Sequence, residues 1–131
     1  MITMKELNPK NFPAQKSIQD NLEILLKKIN EIRAAYGKPM KITSGLRTME
    51  DHLRIYAEMG ITDKNKIPMK SRHLFGQACD VSDPDGKLMD WCIANEKVLE
   101  KVGLWCEVRD DKKRVHFQIV PPQSGKLFFN P

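Results

Sequence analysis

Residues 71–80 read Ser71-Arg72-His73-Leu74-Phe75-Gly76-Gln77-Ala78-Cys79-Asp80, and much of the fold and the chemistry turns on this stretch. It joins a polar, basic loop (residues 61–72, with Pro68) to a short run of strand-formers at residues 78–82. A loop of that length in a small domain commonly carries function. Gly76 lets the backbone turn back on itself, and Ala78 leaves room where a bulky side chain would crowd a site. His73 and Asp80 could then bring an imidazole nitrogen and a carboxylate oxygen to within ~2 Å of a shared ion.

Upstream of this stretch, Ile18, Leu22, Leu25, Leu26, Ile29 and Ile32 recur at helical spacing, predicting an amphipathic helix over residues 14–36 that stops at Gly37 and Pro39. Met40-Lys41-Ile42-Thr43 alternates as a short strand before a Ser44-Gly45 turn. Thr48 is placed to cap a helix running to Met59, with Gly60 just beyond it. Residues 1–13 read as an irregular lead-in.

Downstream, Asp83-Pro84-Asp85-Gly86 is a turn. Leu88, Trp91, Cys92, Val98, Leu99 and Val102 predict a third helix over residues 87–101. Residues 104–108 and 115–120 form a β-hairpin folded about Asp111-Lys112, and residues 121–131 a C-terminal tail. The expected fold is α+β, with a small antiparallel sheet packed against about three helices in one domain spanning residues 1–131.

Composition narrows the function classes. The 131 residues suit one domain, and a 40% hydrophobic content can fill one core. No apolar run approaches the ~20 residues of a membrane helix, and residues 1–12 lack the apolar region of a signal peptide. A cytoplasmic chain with no membrane partner is therefore expected. The net charge of +5 favours anionic surroundings. Its basic residues fall into separate clusters at Lys27-Lys28, Lys64 to Lys70 and Lys112-Lys113-Arg114, so no nucleic-acid partner is expected. Cys79, Cys92 and Cys106 form no CxxC pair and read as reduced core thiols, with Cys79 alone near enough to a histidine in sequence to suggest a nucleophile pair.

A catalytic zinc takes three protein ligands and leaves one position open. His52, in mid-helix among Glu50, Asp51 and Arg54, reads as a surface residue. His116 lies within the last strand. Alternation along the hairpin puts Leu104, Cys106 and Val108 on one face with Val115, Phe117 and Ile119. Trp105 and Glu107 then share the opposite face with His116 and Gln118, and Glu107 stands across from His116.

The pattern Ser-x-His-x-x-Gly-x-Ala-x-Asp, met at Ser71, His73, Gly76, Ala78 and Asp80, resembles the signature of the zinc D-Ala-D-Ala carboxypeptidase and L-alanyl-D-glutamate endolysin family, which shares the hedgehog fold. Ile42-Thr43-Ser44-Gly45-Leu46-Arg47-Thr48 is similar to that family's Ser-Gly-x-Arg segment, and Val115-His116-Phe117 to the strand bearing its last ligand. The resemblance implies Zn2+ held by His73, Asp80 and His116. It also implies a role for Arg47 in contacting substrate or the developing oxyanion, and for Ser71 in shaping the substrate pocket. Gln77 and Trp105 complete the expected substrate-binding set. Where the family usually carries an acidic residue or a His, two or three positions before the last ligand, this chain has Lys113 and Arg114.

Two readings follow. Either Glu107 supplies the catalytic base from the neighbouring strand, giving a metallopeptidase that hydrolyses peptidoglycan stem peptides, or the base is missing and the chain is an inactive zinc-binding wall or phage structural module. The first is preferred, with a monomer acting on a peptidoglycan peptide, inside the cell or released to the wall during phage lysis.

Overall fold

The apolar stripe expected over residues 14–36 becomes α2 (Lys16–Tyr36), which buries Leu22, Leu25, Ile29 and Ile32 at helical spacing. Gly37 ends it in the left-handed conformation, its N–H bonded to the Arg33 carbonyl. This computed structural model describes residues 1–108 and 113–130.

Residues 1–13 are more ordered than their sequence suggests. They contain a one-turn helix, α1 (Met4–Leu7), and bury Ile2 and Leu7. The Asn30 side chain of α2 clamps Ile2, accepting from its N–H at 2.8 Å and donating to its carbonyl at 2.9 Å. This pairing is long-range, so local composition gave no sign of it.

Among the described residues five strands follow: β1 (Ile42–Ser44), β2 (Ala78–Ser82), β3 (Trp105–Glu107), β4 (Arg114–Gln118) and β5 (Phe128–Phe129). Their order in the sheet is β1-β2-β4-β3-β5. The first four pair antiparallel, but β5 lies parallel to β3, so the sheet is mixed rather than wholly antiparallel. The expected tail supplies that edge: Cys106 and Val108 donate to the Leu127 and Phe129 carbonyls at 2.9 and 2.7 Å. The expected hairpin pairing is present, with Cys106 opposite Phe117 and Glu107 opposite His116. Its turn at Asp111-Lys112 lies outside the described residues.

Between the strands, α3 (Met49–Glu58) begins at Thr48, whose hydroxyl accepts from the Asp51 N–H at 3.1 Å. The helix expected over residues 87–101 is broken into α4 (Lys87–Ala94) and α5 (Glu96–Val102). Asn95 makes the break: its side chain bonds back to the Trp91 carbonyl at 2.8 Å, competing with the helical pattern.

Alternation gives the sheet two faces of different chemistry. Cys79, Val81, Cys106, Val115 and Phe117 are fully buried in the core with Leu25, Ile29, Ile32 and Leu99. Val108, expected on this face, lies past the end of β3 and is 38% exposed. All three thiols are free and buried. Cys79 points to the core, away from its neighbour Asp80, and burial, with the Asp80 charge second, pushes its pKa up. That excludes it as a nucleophile. The opposite face carries Ala78, Asp80, Arg114, His116 and Gln118, and the polar cluster forms there. Among the described residues no helix is long and apolar enough to cross a membrane.

Candidate metal centre and cleft

The loop of residues 61–72 is held over the sheet by His52, which is fully buried rather than on the surface. Its Nε2 donates to the Pro68 carbonyl at 2.8 Å, and its ring meets Tyr56 edge-on at 5.0 Å. A helical position among charged neighbours concealed this role, because only the returning loop buries the ring. A 3-10 turn, Arg72–Phe75, then presents His73. Gly76 closes the turn with φ of 70°, and a Cβ there would lie 2.9 Å from the Ile18 carbonyl of α2. The chain needs glycine at that point for both conformation and space.

His73, Asp80 and His116, all buried, offer ligand atoms within 4.8 Å of one another. Asp80 and His116 are register partners on β2 and β4. Asp80 Oδ1 lies 2.9 Å from His116 Nδ1 and 3.5 Å from His73 Nε2. Ligand atoms at ~2.0–2.1 Å from a tetrahedral zinc would sit about 3.3 Å apart, so the spacing suits such an ion.

The hydrogen-bond chemistry supports the same fit. The Gly45 carbonyl, 2.9 Å from His73 Nδ1, can only accept, so Nδ1 carries the proton and Nε2 offers a lone pair. That Nε2 is buried with no hydrogen-bond partner among the described residues. Burial above all lowers the His73 pKa against the pull of Asp80, which keeps the ring neutral, as a ligand must be. His116 stands between two acceptors, Asp80 Oδ1 at 2.9 Å and Gln118 Oε1 at 3.0 Å. A neutral imidazole satisfies one of them. A cation between Nδ1 and the carboxylate resolves the other. Burial opposes ionisation of Asp80; only where the facing imidazoles carry a proton toward it do hydrogen bonds and charge from His116 and His73 hold its carboxyl well below the usual range, and a bound cation would take that proton's place.

The other expected residues divide between the cleft and its surroundings. A cleft of about 720 Å³ opens beside the cluster, lined in part by Arg47, Ser71, His73, Glu107, Arg114 and His116. Arg47 Nε donates to Ser44 Oγ at 3.1 Å, and its Nη2 lies 3.9 Å from Asp80 Oδ2. Glu107 Oε2 is 4.0 Å from His116 Nε2. Gln77 does not line the cleft. Its side chain accepts from Arg72 at 3.4 Å, and its backbone carbonyl from Ile119 at 2.9 Å. Trp105 stands across from Gln118 on β3 and is also absent from the lining. Alternation set Gln118 on the face of His116 but gave it no role, and Arg114 stood out only as basic and as a departure from the family pattern; both lie two positions from His116 and share its strand face.

A family model described as Peptidase M15 matches residues 1–109. The chain belongs to the peptidase M15 family. Among solved structures, this M15 chain is similar to the Serratia marcescens L-Ala D-Glu endopeptidase ChiX, at 18% identity and a TM-score of 0.52. The likeness covers 91% of this chain and 98% of that one, and it shows the shared α+β fold. No curated protein matches it significantly by sequence.

Proposed function

We propose that this M15 chain is a zinc-dependent endopeptidase that cuts the peptidoglycan stem peptide beside its D-glutamyl residue. The observation that carries the reading is the buried His73, Asp80 and His116 cluster, whose facing lone pairs call for a cation. Family membership supports peptidase chemistry. The choice of an internal bond over a terminal D-Ala-D-Ala draws on the ChiX likeness, since that protein is an L-Ala D-Glu endopeptidase.

In this reading His73 Nε2, an Asp80 oxygen and His116 Nδ1 would hold the ion. Zinc bound there would supply a Lewis acid that acidifies water and draws charge from a carbonyl. Glu107 faces the same cleft from β3 and takes the proton from the attacking water, then returns it to the leaving amine. Arg47, fixed by Ser44, donates to the oxygen on which negative charge develops. Ser71 in the lining offers a hydroxyl to the peptide backbone. Gln118 holds the His116 ring so that Nδ1 faces inward.

Digestion of purified peptidoglycan, followed by mass spectrometry of the released fragments, tests this. With one equivalent of zinc, fragments ending in L-Ala and beginning with D-Glu are expected, and excess chelator should abolish them. Release of no fragment, or release that ignores chelator, would overturn the reading.

A further inference from the structure

The hydrolytic step draws on Arg47 but leaves further positive charge in the cleft. Among the described residues its lining also includes Lys70, Arg72 and Arg114, with Glu107 the carboxylate there. Lys70 and Arg72 belong to the loop. Arg114 is different, because the β4 register sets it two positions from His116 on the same face of the sheet.

Arg114 Nη1 lies 3.7 Å from Asp80 Oδ2, which Arg47 Nη2 approaches at 3.9 Å. The 3.7 Å separation exceeds a good hydrogen bond, so Asp80 attracts the Arg114 guanidinium without consuming its donors. Arg114 Nε is buried and has no hydrogen-bond partner among the described residues. A buried donor left this way is costly until an acceptor reaches it. The side chain is nonetheless 38% exposed, so a ligand in the cleft can approach the guanidinium. Its planar fork of donors matches a carboxylate in two parallel hydrogen bonds.

We propose that Arg114 recognises a free carboxylate of the peptide substrate and so gives the enzyme its preference for acidic stem peptides. This rests on the peptidase reading for the identity of the substrate, but not for the binding itself. The carboxylate is either the one left free on the D-glutamyl residue or the one at the C-terminus of the peptide. In both cases the charge-assisted pair forms beside Asp80, where burial strengthens it.

The test is calorimetric binding to the full-length protein, zinc-loaded and zinc-free. The probes are an L-alanyl-D-glutamyl tripeptide, the same peptide with its glutamyl carboxyl as a carboxamide, and the same peptide amidated at its C-terminus. The wild type should bind the parent at least about tenfold tighter than one of the two amides, as expected for a charge-assisted hydrogen bond. Which amide loses affinity identifies the carboxylate. In R114Q the parent should fall by about tenfold, to the level of that amide, whose own affinity should stay within about twofold. R114K, which keeps the charge but not the fork, should show a smaller and equally selective drop. It also serves should the glutamine variant fail to fold. In turnover assays the loss should appear in KM rather than kcat. A wild type that does not discriminate, or variants that weaken all three peptides alike or none, would overturn the proposal. Selective binding without cleavage would sustain it while the peptidase reading fails.

Discussion

Gln118 Oε1 accepts from His116 Nε2 at 3.0 Å, and Gln118 Nε2 is itself committed to the Val120 carbonyl at 2.9 Å. The amide orientation is therefore fixed by a backbone acceptor, and with it the tautomer of the imidazole. His116 keeps its Nε2 proton and turns Nδ1 toward Asp80. His73 does the reverse, donating from Nδ1 to Gly45 and turning Nε2 inward. Two histidines thus converge on Asp80 through different nitrogens, each held by an acceptor behind it.

Replacing Gln118 with leucine removes the acceptor while roughly keeping the volume. Loss of such an outer partner typically lowers metal affinity by ~10–100-fold. Competition against a chromophoric chelator should find that decrease for zinc, with Q118E retaining most of the affinity. An unchanged affinity in Q118L would show that the ring is oriented by something else.

Asp80→Asn tests the ligand cluster. The wild type should bind one zinc per chain, and the variant far less, by elemental analysis after dialysis. Because the ion binds only the folded cluster, zinc at a thousand times its dissociation constant would stabilise the fold by ~4 kcal/mol. Chelator should accordingly lower the wild-type Tm and leave that of D80N unmoved. Equal chelator effects on both proteins would remove Asp80 from the ligand set.

Glu107→Gln separates metal binding from hydrolysis. The isosteric amide cannot accept a proton as a base, so kcat should fall by ~10²–10⁴-fold. Zinc stoichiometry should stay at one, because Glu107 is not among the clustered ligand atoms. Full hydrolysis by E107Q would return the search for the base to other residues of the cleft.

The sequence foreshadowed what depends on periodicity and missed what depends on the chain returning from a distance. Period-2 alternation was enough to set Glu107 across from His116, and the Gly76 turn was legible between His73 and Asp80. The burial of His52 was not, because its acceptor, the Pro68 carbonyl, is sixteen residues away in a loop without periodicity. The parallel pairing of Phe128 and Phe129 with β3 was hidden for a similar reason: two residues are too few to show alternation. In the sequence Arg114 stands out as one of a basic cluster and as a departure from the family's acid, just outside the strand expected over residues 115–120. Its position two residues before His116 was the available signal that it faces the same site.

The three thiols offer a check on the sheet's two faces. Cys79, Cys92 and Cys106 are fully buried, and burial pushes up the pKa values of Cys79 and Cys106. In the native protein none should react with a thiol reagent on the timescale of minutes, and all three should react in denaturant. Fast native labelling of Cys79 would mean that the core face of β2 is not closed as described.

Gly45 links the N-terminal turn to the site. The Leu46 N–H donates to the Leu7 carbonyl at 2.8 Å, and a Cβ at Gly45 would run into that same carbonyl. The Gly45 carbonyl in turn holds His73 Nδ1. Gly45→Ala must therefore push α1 away or shift the acceptor behind His73, and it should lower both stability and zinc affinity. Gly37→Ala is the control. A Cβ there meets nothing within 4 Å, so only the positive φ of 74° is penalised, by roughly 1–2 kcal/mol. Urea unfolding should show both variants destabilised, while zinc competition should separate them, with G37A binding as the wild type does. If G45A kept wild-type zinc affinity, the Gly45 carbonyl would not be what orients His73, and α1 would contribute to the core alone.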